Sequence, residues 1–229
     1  MSNTELTRLR EKGSVDRHAL DRLLDTTLIG HFALTDNAGR PRIIPTAVVR
    51  DGDRVLLHGS TGSVWMRELA TGVPTCLAVT AFDGLVIARS AFESSIHYRS
   101  AVLFGQCSVV EGAPKIHALD LITEALLPGR VAELRRPSDR ELAATLVLSL
   151  PIQQWSLKVS AGWPDDAAED VAGDTWAGVA ARTASYGPPI PAPDLRAGVL
   201  VPASVLGLRD ALGLRAPQAT ERPEGSGAP

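Results

Sequence analysis

The chain has too little of several things to be several kinds of protein. It holds two cysteines, Cys76 and Cys107, and neither sits in a Cys-x-x-Cys pair or a Cys/His ligand spacing. No metal site is expected on that ground. Both thiols lie in apolar, strand-like runs and are expected to be buried, which fits a reducing cytoplasm. There is no long basic run and the formal net charge is −3, which excludes an electrostatic nucleic-acid surface as the leading function. No apolar stretch approaches the ~20 residues a membrane helix needs. The polar first residues carry no signal core, so no membrane partner and a cytoplasmic location are expected. The nucleotide-loop lysine, the dinucleotide GxGxxG and the GxSxG nucleophile elbow are also missing. Without strand–helix–strand alternation a doubly wound sheet is disfavoured, and no internal repeat is visible.

What is present reads mainly as strands. Leu20, Leu23 and Leu24 recur at helical spacing in Asp16–Asp25, giving a short amphipathic helix. Strand-like runs follow at Leu28–Thr35, Arg42–Arg50 and Arg54–His58. Asp51-Gly52 is a strong hairpin signal, whereas Pro45 marks an edge or a bulge. A second hairpin is expected around Asp83-Gly84, between Thr75–Ala81 and Leu85–Arg89. Long runs at Ile96–Val110 and Leu146–Val159 flank a helix at Lys115–Leu127. A shorter helix over Ser138–Thr145 opens on a capping box, Ser138 with Glu141. About six or seven antiparallel strands with few helices suggest a closed barrel or a sandwich.

Residues 1–15 read as a flexible leader. Eight of the sixteen prolines fall in residues 188–229, so 187–229 is expected to be an extended tail. It should carry one short helix at Ser204–Leu212 and be disordered after Ala216.

The chemistry centres on Val55–Arg67, a strand running through a Gly/Ser/Thr loop into a helix capped by Ser63. Backbone amides of the loop and the hydroxyls of Ser60, Thr61 and Ser63, with Arg67 one turn on, suit a phosphate. An ordinary strand–helix turn fits the same residues. His58 ends the strand, as a structural histidine or as a proton donor and ring contact. In the run His97–Ser100, Tyr98 and Arg99 face opposite sides of a strand. They form either a solvated edge strand or a pocket for an anion or aromatic ring. Trp163 and Trp176 read as core packing, and the acidic run Asp165–Asp174 as a solvated loop.

Together these stretches resemble the pyridoxamine 5′-phosphate oxidase-like, flavin-binding split-barrel family, in the branch with nitroimidazole-resistance proteins. The resemblance rests on Ile43–Thr46, Leu57–Ser63, Asp83–Phe92, Tyr98–Ser100 with Phe104-Gly105, Glu141–Leu148, Ser156 with Lys158, Asp165-Asp166 and Trp176–Gly178. It covers about residues 16–180 and implies a six-stranded antiparallel split β-barrel, spanning 16–186, with a few flanking helices. It further implies a homodimer with flavin mononucleotide (FMN) at the subunit interface. Pro45 and Thr46 would lie along the flavin ring, and His58, Gly59, Ser60, Thr61, Gly62, Ser63 and Arg67 would hold the phosphate, with Tyr98 and Arg99 beside the cofactor. A histidine in the place of His58 is linked to activity in that branch. His97 departs from the Asn common before Tyr-Arg-Ser, and the Arg/His substrate motif of true pyridoxamine phosphate oxidases is missing.

The expected function is an FMN-dependent oxidoreductase taking hydride from a reduced nicotinamide or its substrate and acting on a small organic molecule such as a nitroaromatic. The alternatives are a deazaflavin-dependent reductase, whose acidic cofactor tail would want the basic set Arg54, Arg67, Arg89 and Arg99, and a non-catalytic protein holding flavin or haem.

Overall fold

A computed structural model describes residues 12–36 and 38–208. Within the expected leader, β1 (Gly13–Ser14) pairs with a strand near the far end of the domain. Asp16 caps α1 (Arg17–Thr26) by accepting from the His18 amide, and Leu20, Leu23 and Leu24 turn into the core. Then come β2 (Ile29–Thr35), β3 (Pro41–Ala47), β4 (Val49–Asp51) and β5 (Arg54–Ser60). The single run expected over Arg42–Arg50 is thus two strands, broken at Val48. Pro45, which cannot donate to a ladder, sits in β3, the terminal strand of its sheet. Asp51-Gly52 does turn the chain back, with Gly52 at φ 58°.

The strand β5 runs through His58 and Gly59 to Ser60, so the Gly/Ser/Thr loop is shorter than the spacing suggests. Next are α2 (Val64–Ala70), ended by Gly72 at φ 78°, then β6 (Pro74–Ile87) and β7 (Ser95–Gln106). Here Asp83-Gly84 is no hairpin. β6 is continuous, and the register against β7 shifts between Phe82 and Gly84, a β-bulge. The turn instead falls after Ile87. At the bulge a Cβ on Gly84 would lie 2.5 Å from the Ala180 carbonyl oxygen, so only glycine lets the next strand approach there.

The rest comprises β8 (Ser108–Val109), α3 (Gly112–Leu126), α4 (Asp139–Ala144), β9 (Thr145–Pro151), β10 (Gln154–Ser160), α5 (Ala168–Val171), β11 (Gly178–Ala181) and α6 (Ala203–Leu206). The capping box at α4 forms in both directions. The expected long strand over Leu146–Val159 is two strands in different sheets. Of the tail helix expected at Ser204–Leu212, α6 is what the described residues hold; the expected disorder after Ala216, and residues 1–11, lie outside them.

All pairings are antiparallel. One sheet runs β1-β10-β7-β6-β2-β3 with β11 added to β6, and the other runs β4-β5-β9-β8. The architecture is the split barrel, mainly β with few helices. Its strands outnumber six because bends at Val48, Cys107 and Ile152-Gln153 divide long runs and because the short β1 and β11 are added to the larger sheet. Alternation separates two faces of the larger sheet. Phe32, Leu77, Val79, Ala101, Leu103 and Leu157 point into the barrel, each at most 2 % exposed. The opposite face stays open, its register rows including Ser156–Val102–Ala78–His31–Pro45 and Phe104–Cys76–Ala33–Ile43. A smaller apolar cluster joins Leu56, Val110 and Val147 to Ala118 and Ile122 of α3.

Candidate functional site

Alternation along β5 decides where its side chains go. Leu57 and Gly59 face the barrel, where a Cβ on Gly59 would lie 3.1 Å from Met66 Cγ. Leu56 faces the other way, toward α3, and His58 shares its side of the strand. His58 therefore leaves the loop it adjoins in sequence. It enters a cavity of about 440 Å³ between β5, β9, α3, α4 and the segment joining the two helices.

The cavity is apolar at Leu119, Val131 and Leu134, and charged at Asp120, Arg135, Arg136 and Glu141, with Thr123 and Thr145 adding hydroxyls. His58 lines this cavity, and its Nδ1 is buried without a hydrogen-bond partner. Burial pushes the imidazole pKa below its ordinary value, so the neutral ring, able to ligate a metal, is favoured. The charges at the rim are paired. Arg135 makes a fork to Glu141 at 2.6 and 2.8 Å, and Arg136 reaches Asp120 at 2.9 Å. Glu141 also caps Ser138, and together these bonds hold its carboxyl well below the usual carboxylate range. An unpaired buried nitrogen is costly, and it belongs to a ring that lines room for a ligand. A second hollow of about 450 Å³, near Asp51 and Arg54, is different: its charged pair is satisfied at 2.7 Å.

The loop forms its own group. The Ser60 hydroxyl accepts from the Gly62 amide, and Thr61 gives both its amide and its hydroxyl to the Ala144 carbonyl. Ser63 caps α2 in backbone shape only, without a side-chain cap bond, which leaves its hydroxyl uncommitted to the helix. Arg67 is exposed on the same helix and makes no ion pair among the described residues. Pro45 lies on the open sheet face opposite His31, whereas Thr46, next along, faces the other side.

Tyr98 lies on the open face, with Lys158 Nζ 5.4 Å from its ring centroid. Arg99 points the opposite way and is locked by Asp83 in a fork of 2.8 and 2.8 Å, which raises its pKa. β7 is an interior strand between β6 and β10, so the edge-strand reading fails. The basic set expected for a deazaflavin tail does not form. Arg54, Arg89 and Arg99 are each neutralised by Asp51, Asp166 and Asp83.

Three further expectations change. Asp166, read as part of a solvated loop, has a side chain 1 % exposed. Trp163 and Trp176 are largely exposed rather than core. Cys107 is buried, but Cys76 is only partly so, on the open face. Sequence reasoning missed the α3 and α4 side of the cavity; the adjacent arginines before Pro137 and the capping box were its one local trace.

An antiparallel split barrel with a cavity behind one strand and an open outer face defines a cofactor-binding class of β protein. The chain belongs to the pyridoxamine 5′-phosphate oxidase family, whose pattern matches residues 16–159. Among solved structures, the FAD and haem binding protein from Mycobacterium smegmatis is 50 % identical over 86 % of this chain and 97 % of its own, with a TM-score of 0.83. The flavocytochrome Anf3 from Azotobacter vinelandii is 35 % identical over 91 % of this chain and 97 % of its own, with a TM-score of 0.84. A putative 5-nitroimidazole antibiotic resistance protein from Bacteroides thetaiotaomicron shares the fold at 20 % identity over 64 % of this chain and 86 % of its own, with a TM-score of 0.56. Comparison with curated proteins gives no match. Among the described residues no helix is long and apolar enough to cross a membrane.

Proposed function

We propose that this chain is a redox protein of the split-barrel family that binds both a flavin and a haem. The observation that carries the reading is the His58 imidazole lining a cavity, with no hydrogen-bond partner on its buried Nδ1, in a chain half identical to a protein that binds FAD and haem. Among the described residues, no group of three or more His, Cys, Asp or Glu side chains could hold a bare metal ion. A porphyrin brings its own equatorial ligands and asks the protein for one axial side chain. The residues fit that demand. His58 would ligate the iron, Leu119, Val131 and Leu134 would pack the ring, and the exposed Arg135 and Arg136 would exchange Glu141 and Asp120 for its carboxylates.

For the flavin we propose FAD ahead of FMN, because the relative at 50 % identity binds FAD. The phosphate end would use Ser60, Thr61, Ser63 and Arg67, and the ring would lie near Pro45 on the open face. A second copy of the chain would cover that face, giving a homodimer with flavin between the copies. When bound, a flavin would take up electrons in pairs or singly and a haem would carry one at a time. The protein's part is to bind, orient and exclude water, with His58 kept neutral. Reduced nicotinamide is the donor to assay first, with a nitroaromatic among the acceptors.

The test is reconstitution with FAD, FMN and haemin, followed by desalting and an absorption spectrum. Wild type should keep both a flavin and a haem band, and His58→Ala should lose the haem band while keeping flavin. A full haem band in His58→Ala would overturn the ligand assignment.

A further inference from the structure

We propose that Ser204 and Glu133 form a latch by which the C-terminal segment positions the outer wall of the His58 cavity. The proposal rests on the haem reading for its ligand but not for its structural half. From Arg182 to Val201 every residue is exposed. That segment is fixed at its start, where the Arg182 amide donates to the Asp83 carbonyl at 2.8 Å. Its next anchor is Ser204, which is 7 % exposed. Ser204 donates twice to Glu133. Its amide reaches Oε1 at 3.1 Å and its hydroxyl reaches Oε2 at 2.5 Å.

The carboxylate is a good anchor because both hydrogen bonds are charge-assisted. Arg130 adds a third contact at 3.0 Å, and together these hold the Glu133 carboxyl below its ordinary pKa. The wall it belongs to is short and irregular. Glu124 ties its first part by accepting from the Gly129 and Val131 amides at 2.6 and 2.8 Å. Glu133 ties the 3-10 turn, and it stands between Val131 and Leu134, the first two of the side chains this segment gives to the cavity. A 3-10 turn over Val131–Glu133 has few internal bonds of its own, so external ties set its position. Gly129 at φ 82° brings the backbone close, with its Cβ position 4.0 Å from the Ser204 Cβ.

Ser204 and Glu133 do not line the cavity, so they are positioning residues. Releasing them should loosen Val131 and Leu134 and let a bound ring leave sooner. The experiment compares full-length wild type with Ser204→Ala, Glu133→Gln and Ser204→Thr. Amide exchange at Val131–Leu134 is read without ligand, and haemin release is read by transfer to an excess of apomyoglobin. In Ser204→Ala and Glu133→Gln we expect faster exchange confined to that wall and release about tenfold faster, the scale of one lost charge-assisted bond. Ser204→Thr keeps the hydroxyl and should stay near wild type. Flavin binding and the global unfolding midpoint should not move. Unchanged wall exchange would overturn the latch, and faster exchange with unchanged release would overturn its bearing on the ligand. If wild type takes up no haemin, the haem reading fails, and the exchange result alone decides the latch.

Discussion

Asp166, from the loop after β10, reaches back to Arg89 just beyond β6 and accepts twice from it. The backbone amide donates at 2.7 Å and the guanidinium at 3.0 Å, while the Arg89 Nε stays buried without a partner. The contact staples the 161–167 loop to the end of the long β6. Asp166→Ala would leave a second nitrogen of that guanidinium, Nη1, unpaired beside Nε. We expect a loss of about 3 kcal/mol, the low end for a broken buried pair, since some of Arg89 still reaches water. Urea unfolding monitored by tryptophan fluorescence measures it, and Asp166→Asn should lose less.

His58 carries a cost in the ligand-free protein. Replacing it with Phe removes the orphaned nitrogen and keeps a ring in the space. The variant should gain about 1 kcal/mol in stability and lose haemin binding. The pH dependence follows from the same burial. The folded pKa lies below the ordinary 6.5, so the unfolded chain takes the proton first as pH falls. The contribution of neutral His58 is therefore full above pH 6.5 and is lost between 6.5 and its lower folded value. Urea midpoints at stepped pH should decline through that window in wild type, and His58→Phe should lack this part of the decline.

Thiol labelling separates the two cysteines. Burial pushes the Cys107 thiol up to about 12, so it is inert in the native state and should react only as fast as the protein opens. Cys76, on the open sheet face, also has a raised pKa but is partly accessible, and it should react first. If a second copy covers that face, dilution of the protein should speed Cys76 labelling and leave Cys107 unchanged.

Arg67 is the charge left over in the loop region. Changing it to Ala should weaken flavin binding about tenfold, or about 1.4 kcal/mol, and leave folding intact because the side chain is exposed. A flavin titration reads the first effect and thermal unfolding the second.

Periodicity and local turn chemistry made much of the fold legible. The leucines of α1, the Asp51-Gly52 hairpin and the Ser138–Glu141 box are local signals with local outcomes. Asp83-Gly84 carries the same dipeptide and forms a bulge, because β7 and β11 pair with β6 on either side of it. No local rule contains that information. The candidate site divides the same way. Alternation puts Leu56 and His58 on one side of β5, but only the packing of α3 makes that side a cavity. The pairing of Arg99 with Asp83 and the burial of Asp166 join distant segments, so neither could be read in order.

The chain passes between the two sheets four times, at β3–β4, β5–β6, β7–β8 and β9–β10. The last passage uses only Ile152 and Gln153 between β9 and β10. Neither sheet is therefore a contiguous piece of sequence. The His58 cavity cannot be cut out as a fragment, nor can the outer face be transplanted without it. Whatever binds on either side, the two sites are inherited, expressed and lost as one unit.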